Sequence, residues 1–155
     1  MRSFKKSVRA LLVTAVSLLV LLGLDLLLYP CTFMRNDIHA IASEKYDDLY
    51  VGTSHGKMNI DPDAMEAVTG RSGHNVCVGG EYAVDAYHIL RLALERGNRP
   101  KRVIYEISPG YFSQRKEEGN NYLLFYHEFP LSAAKLEYFR NSLLKCNFRT
   151  MLFHF

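Results

Sequence analysis

Tryptophan is absent from this sequence of 155 residues, and cysteine is rare. The three cysteines, Cys31, Cys77 and Cys146, lie far apart, and no Cys-x-x-Cys pair or Cys/His cluster brings metal-binding side chains together. This spacing argues against a structural zinc site, and the odd number argues against a disulfide framework, although it leaves room for one bridge. We therefore expect neither a metal nor a cofactor.

The body of the chain also lacks an excess of basic residues. The formal net charge is +3, and residues 1–30 account for all of it, with Asp25 set against four basic residues: Arg2, Lys5, Lys6 and Arg9. The remaining residues are neutral in sum, so we expect no nucleic-acid partner. The basic residues instead form a flank before an apolar segment, and the length is that of one modest domain.

That apolar segment runs from Ala10 to Leu28 and is long enough to cross a bilayer as a helix. Because basic residues precede it, we expect a cytoplasmic N-terminus and a single pass through the cell membrane, with the rest of the chain outside. A cleaved signal peptide is the alternative. No small-x-small cleavage site follows the segment, which favours an uncleaved anchor.

Three regions are predicted from these patterns. Residues 1–30 form the cytoplasmic flank and the transmembrane signal-anchor helix. Residues 31–45 form a juxtamembrane linker or a short helix, and residues 46–155 form a partial α/β domain. The membrane is therefore the one partner that the sequence indicates directly.

Strand and helix signals alternate in the third region. Apolar, β-prone runs predict three strands, at about 48–51, 74–78 and 102–107. Start and stop signals predict three helices, at about 62–68, 81–96 and 132–144. The β-α-β-α-β order with short links is typical of a parallel sheet with right-handed crossovers.

A small hydroxyl residue stands where the first predicted strand ends. The run 49–51 leads into Gly52, Thr53 and Ser54, and a helix start follows at 61–63. Ligands of open α/β sheets bind beyond the carboxyl ends of the strands, so Ser54 is a candidate nucleophile. The alternative is that Thr53 and Ser54 only satisfy backbone groups of a turn.

A short block of chemistry-bearing residues lies within or just after each predicted strand. The blocks are Gly52-Thr53-Ser54-His55, Asn75 with Gly80 five residues later, and Glu106-Ile107-Ser108-Pro109. In this order they resemble the SGNH/GDSL hydrolase superfamily over residues 47–112. The Glu-x-x-Pro form is similar to that of membrane-anchored bacterial cell-envelope members, some of which are similar to the lipoteichoic acid D-alanylation protein.

The resemblance implies a flavodoxin-like parallel sheet with strand order 2-1-3, and it implies roles for four residues. Ser54 would be the nucleophile, the N–H groups of Ser54 and Gly80 would form an oxyanion hole, and His55 and Asn75 could position the substrate. That substrate would be an acylated cell-envelope polymer. The third block departs from the family, which usually has Gly-x-Asn-Asp there, so a third oxyanion donor is not assigned.

A general base is missing from this pattern. In the family an Asp-x-x-His pair follows a late strand, whereas here the one such pair, Asp85 and His88, lies in a predicted helix. We interpret it as a coincidence on the helix surface. His127 and His154 lie in the tail, and neither has an Asp three residues before it.

The function expected from the sequence is a membrane-anchored ester hydrolase or acyltransferase of SGNH type. With three of five family strands and no base, we expect an N-terminal part with little activity. A non-catalytic, membrane-anchored interaction or assembly protein with the same half-fold is the main alternative. A binding protein for anionic glycans or phosphates is a third hypothesis.

Overall fold

A computed structural model describes residues 2–28, 33–81, 83–109, 111 and 128–142. Within these ranges the helices are α1 (Arg2–Leu28), α2 (Phe33–Ser43), α3 (Ser54–Asn59), α4 (Pro62–Thr69), α5 (Ala83–Glu95) and α6 (Ala133–Ser142). The strands are β1 (Asp48–Val51), β2 (Gly73–Asn75) and β3 (Arg102–Tyr105).

Helix α1 belongs to one of two compact units, and the other helices and the strands belong to the second. Residues Lys5–Leu28 of α1 make a helix that is long and apolar enough to cross a membrane, judged by length and composition. The same properties fit a membrane anchor and a signal sequence.

The second unit contains a three-stranded parallel sheet in the order β2-β1-β3. The predicted parallel pairing and the central place of the first strand are thus confirmed. Asp48 is paired with Gly73 on one side and with Arg102 on the other. β1 has a strand on both sides, and all four of its residues are buried.

Backbone hydrogen bonds continue the sheet beyond the strand ends. The N–H groups of Val76 and Val78 donate to Tyr50 and Gly52 oxygens at 2.9 and 2.8 Å, and the Glu106 N–H donates to the Val51 oxygen at 2.8 Å. The predicted strands at 74–78 and 102–107 therefore include these extensions, while β2 begins one residue earlier, at Gly73.

Helix α4 has the start and stop that the sequence predicts. The Asp61 carboxylate accepts hydrogen bonds from the N–H groups of Asp63 and Ala64, and Pro62 occupies the first turn. Gly70 ends the helix with φ of 65°, a conformation that suits glycine. These local signals explain why the predicted range 62–68 differs from the observed helix by one residue.

The buried faces of α5 and α6 agree in part with the apolar faces that helical spacing predicts. In α5 that spacing places Tyr82, Ala86, Leu90, Ala93 and Leu94 on one face. Ala86 and Ala93 are buried and Leu90 packs against the core, whereas Leu94 is exposed and Tyr82 lies outside the described residues. The other buried residues of α5 are Asp85, His88, Ile89 and Leu92. In α6 we expected Leu136 to be buried, yet it is exposed and Tyr138 is buried. The Tyr138 hydroxyl donates to Asp85 at 2.8 Å, so this buried polar pair lies between α5 and α6.

Helix α2 covers residues 33–43, where the sequence was compatible with either a linker or a short helix. It contributes Met34, Ile38 and Ile41 to the hydrophobic core. Buried Asn98 fastens the end of α2. Its Nδ2 donates to the carbonyls of Ile41 and Glu44 at 3.0 and 2.7 Å, and its Oδ1 accepts from the Tyr46 N–H at 2.9 Å. The segment before β1 is thus part of the folded unit.

A carboxylate is fully buried at the amino end of the sheet. Asp48 accepts hydrogen bonds from Arg102 Nε at 2.8 Å and Nη2, and from Arg71 Nε at 3.3 Å. Arg102, the first residue of β3, and Arg71, which precedes β2, therefore tie both outer strands to β1. The hydrogen bond from Arg102 is the main cause that lowers the pKa of Asp48, against the effect of burial.

Candidate active site

The chain segments that follow the three strands meet at the carboxyl edge of the sheet. After β1 the chain passes through Gly52 into α3, whose N-cap is Thr53 and whose first residue is Ser54. After β2 it turns at Gly79 and Gly80. The parallel pairing of the strands brings these segments together with the one that follows β3.

Ser54 lies beside the glycine turn. It is exposed, and among the described residues none hydrogen-bonds to its Oγ. A Cβ placed on Gly79 would be 3.7 Å from the Cβ of Ser54, so the backbone of the turn is close to Ser54. Gly80 follows with φ of 74°. The structure therefore brings Ser54 near the turn that holds Gly80, and the oxyanion role of the Gly80 N–H stays a prediction.

The side chain of Asn75 is committed to the backbone. It is buried, its Nδ2 donates to the carbonyls of Gly56 and Ile60 at 3.0 and 2.8 Å, and its Oδ1 accepts from the Cys77 N–H at 3.0 Å. These bonds hold α3 against the chain that follows β2. Any effect of Asn75 on a substrate would act through the position of α3.

Glu106 connects the segment after β3 to the start of α3. Its Oε2 accepts hydrogen bonds from the N–H and the hydroxyl of Thr53 at 2.8 and 2.6 Å, and its Oε1 accepts from the Ser108 hydroxyl at 2.7 Å. The hydroxyl oxygens of Thr53 and Ser108 are 2.8 Å apart. Thr53 thus has a structural partner that the sequence did not reveal.

The carboxyl group of Glu106 is ionised at neutral pH. Partial burial disfavours the charge, but hydrogen bonds from Thr53, Ser108 and the Gly56 N–H outweigh it and lower the pKa of Glu106 to about 2. A fixed negative charge is therefore hydrogen-bonded to Thr53, the residue before Ser54.

His55 contacts the same group of side chains. Its Nδ1 is 3.0 Å from the Ser108 hydroxyl oxygen, and its ring is exposed to solvent. We predicted that His55 positions the substrate. His55 follows Ser54 in the sequence, and Ser108 connects it to Glu106. Among the described residues, His55 is therefore the histidine that lies at this site.

A second carboxyl group, that of Glu81, lies below Gly52. It is buried, and its Oε2 accepts a hydrogen bond from the Gly52 N–H at 3.2 Å. Burial raises the pKa of Glu81 to about 9, although the bond from Gly52 acts in the opposite direction. Glu81 is therefore a neutral acid at pH 7, whereas Glu106 is charged.

The Asp-x-x-His pair is not on the helix surface, as we had expected. Asp85 and His88 are both buried, since α6 covers this face of α5. Asp85 accepts the hydrogen bond from Tyr138, and the His88 ring packs edge-on against the Tyr138 ring with centroids 4.8 Å apart. The pair joins two helices. His127 and His154, the other two candidates, lie outside the described residues.

A separate cavity of about 530 Å³ lies beside β2. Its lining residues come from α2, from α3 and α4, and from β2, and they include Asp37, Lys57 and His74. Asp37 binds Lys57 Nζ at 2.5 Å and His74 Nε2 at 3.2 Å, so its carboxylate is already occupied. Ser54 does not line this cavity, and no cluster of His, Cys, Asp or Glu suited to a metal ion occurs in the described part of the chain.

No family model, curated protein or solved structure matches this chain. The resemblance described above therefore depends on its three blocks. Of the residues in the site, sequence reasoning named Ser54, His55, Asn75 and Gly80 and missed the roles of Glu106, Ser108 and Glu81. The Glu-x-Ser spacing directly after β3 was the available signal, because both side chains then reach the carboxyl edge of the sheet.

Proposed function

We propose that this protein is a membrane-anchored, SGNH-like ester hydrolase or acyltransferase that acts on acylated cell-envelope polymers, with Ser54 as nucleophile. The observation that carries the proposal is the position of Ser54. It is exposed at the carboxyl edge of a parallel sheet, beside the Gly79-Gly80 turn and in front of the charged Glu106. The strand order is also that of a flavodoxin-like fold.

In the proposed reaction the Ser54 oxygen attacks an acyl carbon, and the acyl group passes to water or to another hydroxyl. The N–H groups of Ser54 and Gly80 would stabilise the negative charge that develops on the carbonyl oxygen. Thr53 would fix the position of Ser54, because Glu106 holds both its N–H and its hydroxyl.

A non-catalytic anchored protein with the same half-fold is the second candidate. It is favoured by one observation: among the described residues no histidine hydrogen-bonds to Ser54 Oγ. A serine hydroxyl is a weak nucleophile without a base, and a positioned base contributes about 10²–10⁴-fold. We therefore propose that the activity of this chain is weak.

The two candidates differ in the reactivity of Ser54. We expect a fluorophosphonate probe to label the purified full chain slowly, and we expect Ser54→Ala to abolish the labelling. Slow hydrolysis of p-nitrophenyl acetate should be lost in the same variant. Thr14→Ala in α1 is a suitable control, since its hydroxyl only bonds the Ala10 carbonyl. Labelling that is unchanged in Ser54→Ala would favour the non-catalytic protein.

The anchor has its own test. We propose that α1 spans the cell membrane once, with the basic flank in the cytoplasm and the α/β unit outside. Protease added to spheroplasts should then digest the chain after Pro30. Replacing the four basic residues of the flank by Glu should reduce that digestion, because the charge bias sets the orientation. Protection of the α/β unit in the unmodified protein would refute this topology.

A further inference from the structure

The hydrogen-bond partners of His55 select which of its two ring nitrogens carries the proton of the neutral ring. Four polar atoms lie in a chain of short contacts: the Glu106 carboxylate, the Thr53 hydroxyl, the Ser108 hydroxyl and His55 Nδ1. The carboxylate is charged and can only accept hydrogen bonds. Each hydroxyl has one proton to donate, so the protons of this group can be counted.

We assign the two hydroxyl protons to the charged Glu106, the stronger acceptor, which leaves the 2.8 Å contact between the Thr53 and Ser108 hydroxyls without a proton. The contacts from Thr53 Oγ to Oε2 and from Ser108 Oγ to Oε1, at 2.6 and 2.7 Å, have the length of bonds between a hydroxyl and a carboxylate. Ser108 Oγ has then no proton left for the contact of 3.0 Å with His55 Nδ1, and it can only accept. With this assignment Nδ1 of His55 carries the proton, and Nε2 of the neutral ring has the free lone pair.

We propose that His55 is the proton acceptor of the Ser54 site and acts through Nε2, with Ser108 and Glu106 as its positioning residues. The inference rests on the proposed function, because it requires a hydroxyl that attacks an acyl carbon. Nε2 takes the proton of that hydroxyl as the new C–O bond forms. The imidazolium then gives the proton to the leaving oxygen as the old C–O bond breaks, so atoms and charge balance.

Sequence adjacency leaves this role open. His55 and Ser54 are both exposed in the first turn of α3, and the proposed role requires that a proton pass from Ser54 Oγ to Nε2 directly or through one water. The arrangement differs from one in which a carboxylate bonds the histidine itself. Here a serine stands between Glu106 and His55, which weakens the stabilisation of an imidazolium, and we expect weak activity for this reason too.

The first measurement compares labelling rates of full-length variants in detergent. We expect His55→Gln to slow the Ser54-dependent fluorophosphonate labelling by about 100-fold, the low end for a general base. The matched control is His39→Gln, since His39 is an exposed histidine on α2 that contacts only Ser43. This control should be labelled at the unmodified rate.

The second measurement reads the tautomer and needs no activity. Long-range proton–nitrogen NMR spectra of the full chain, with ¹⁵N in its histidines, should show His55 with a protonated Nδ1 and an unprotonated Nε2. The His55→Gln spectrum identifies the signals. In Ser108→Ala the acceptor is removed, so we expect the proton of His55 to move toward Nε2 and labelling to slow.

The outcomes separate the two proposals. Ser54-dependent labelling that is equally fast in His55→Gln and His39→Gln would overturn the role of His55 and leave Ser54 as the nucleophile. A protonated Nε2 in the unmodified chain would do the same. If Ser54 is never labelled, the proposed function fails and the inference fails with it.

Discussion

Replacing Asp48 with alanine is expected to destabilise the α/β unit by about 3 kcal/mol, the lower end for breaking a buried ion pair. Asp48 is fully buried and binds both Arg71 and Arg102. Without Asp48, the guanidinium groups of Arg71 and Arg102 lose their carboxylate partner at the amino end of the sheet. Their side chains are 34% and 43% exposed, so water compensates for part of the loss. Chemical denaturation of the full chain in detergent would measure the change.

The neighbouring residue supplies the control. Asp47 also binds a basic side chain, Lys101 Nζ at 3.0 Å, but both partners are partly exposed. Exposed ion pairs contribute between zero and about 1 kcal/mol, so Asp47→Ala should have little effect. Equal destabilisation by the two substitutions would show that the buried ion pairs of Asp48 stabilise the unit no more than the exposed pair of Asp47.

Replacing Gly52 with alanine is expected to be at least as harmful and to disable Ser54 as well. Gly52 has φ of 149°, which a residue with a side chain rarely adopts. A Cβ there would also lie 2.7 Å from the carbonyl oxygen and the Cβ of Glu106. Backbone strain and steric overlap each cost about 1–3 kcal/mol, and moving Glu106 would disturb its bonds to Thr53. We expect a lower denaturation midpoint and loss of Ser54 labelling.

The control substitution Gly70→Ala introduces backbone strain without steric overlap. Gly70 has φ of 65°, but within the described part of the chain no atom beyond its two sequence neighbours lies within 4 Å of the Cβ that alanine would add. We expect a loss of about 1 kcal/mol or slightly more from backbone strain, with labelling of Ser54 unchanged. If Gly52→Ala lowered the free energy of unfolding no more than Gly70→Ala does, the close contact between Gly52 and Glu106 described here for the site would be refuted.

The parts of the fold that could be predicted are those with local causes. The cap at Asp61, the glycine at Gly70 and the apolar run before Gly52 act within a few residues of themselves, and the helix and strand that they predict are present. The parallel pairing followed from the short links and the crossover rule, and the central place of β1 was what the family resemblance implied. Ser54 could be named because it directly follows a strand.

The remaining parts depend on partners that are distant in sequence. Glu106 reaches Thr53 across 53 residues, and Asp85 meets Tyr138 across the same separation. No periodicity within a helix indicates such a pairing. A rule that places charged residues on the surface therefore failed for Asp85 and His88, and a rule that places leucine inside failed for Leu136.

Folding changes the proton content of this protein in two opposite directions. The unfolded chain releases the proton of Glu81 near pH 4, whereas the folded unit keeps it up to about pH 9. Between these values folding takes up a proton, so the contribution of Glu81 to stability decreases as the pH rises. Asp48 and Glu106 act oppositely below about pH 4, because their lowered pKa values make the folded unit release protons. For these three carboxyl groups together, mild acid is the condition in which the folded state is most favoured.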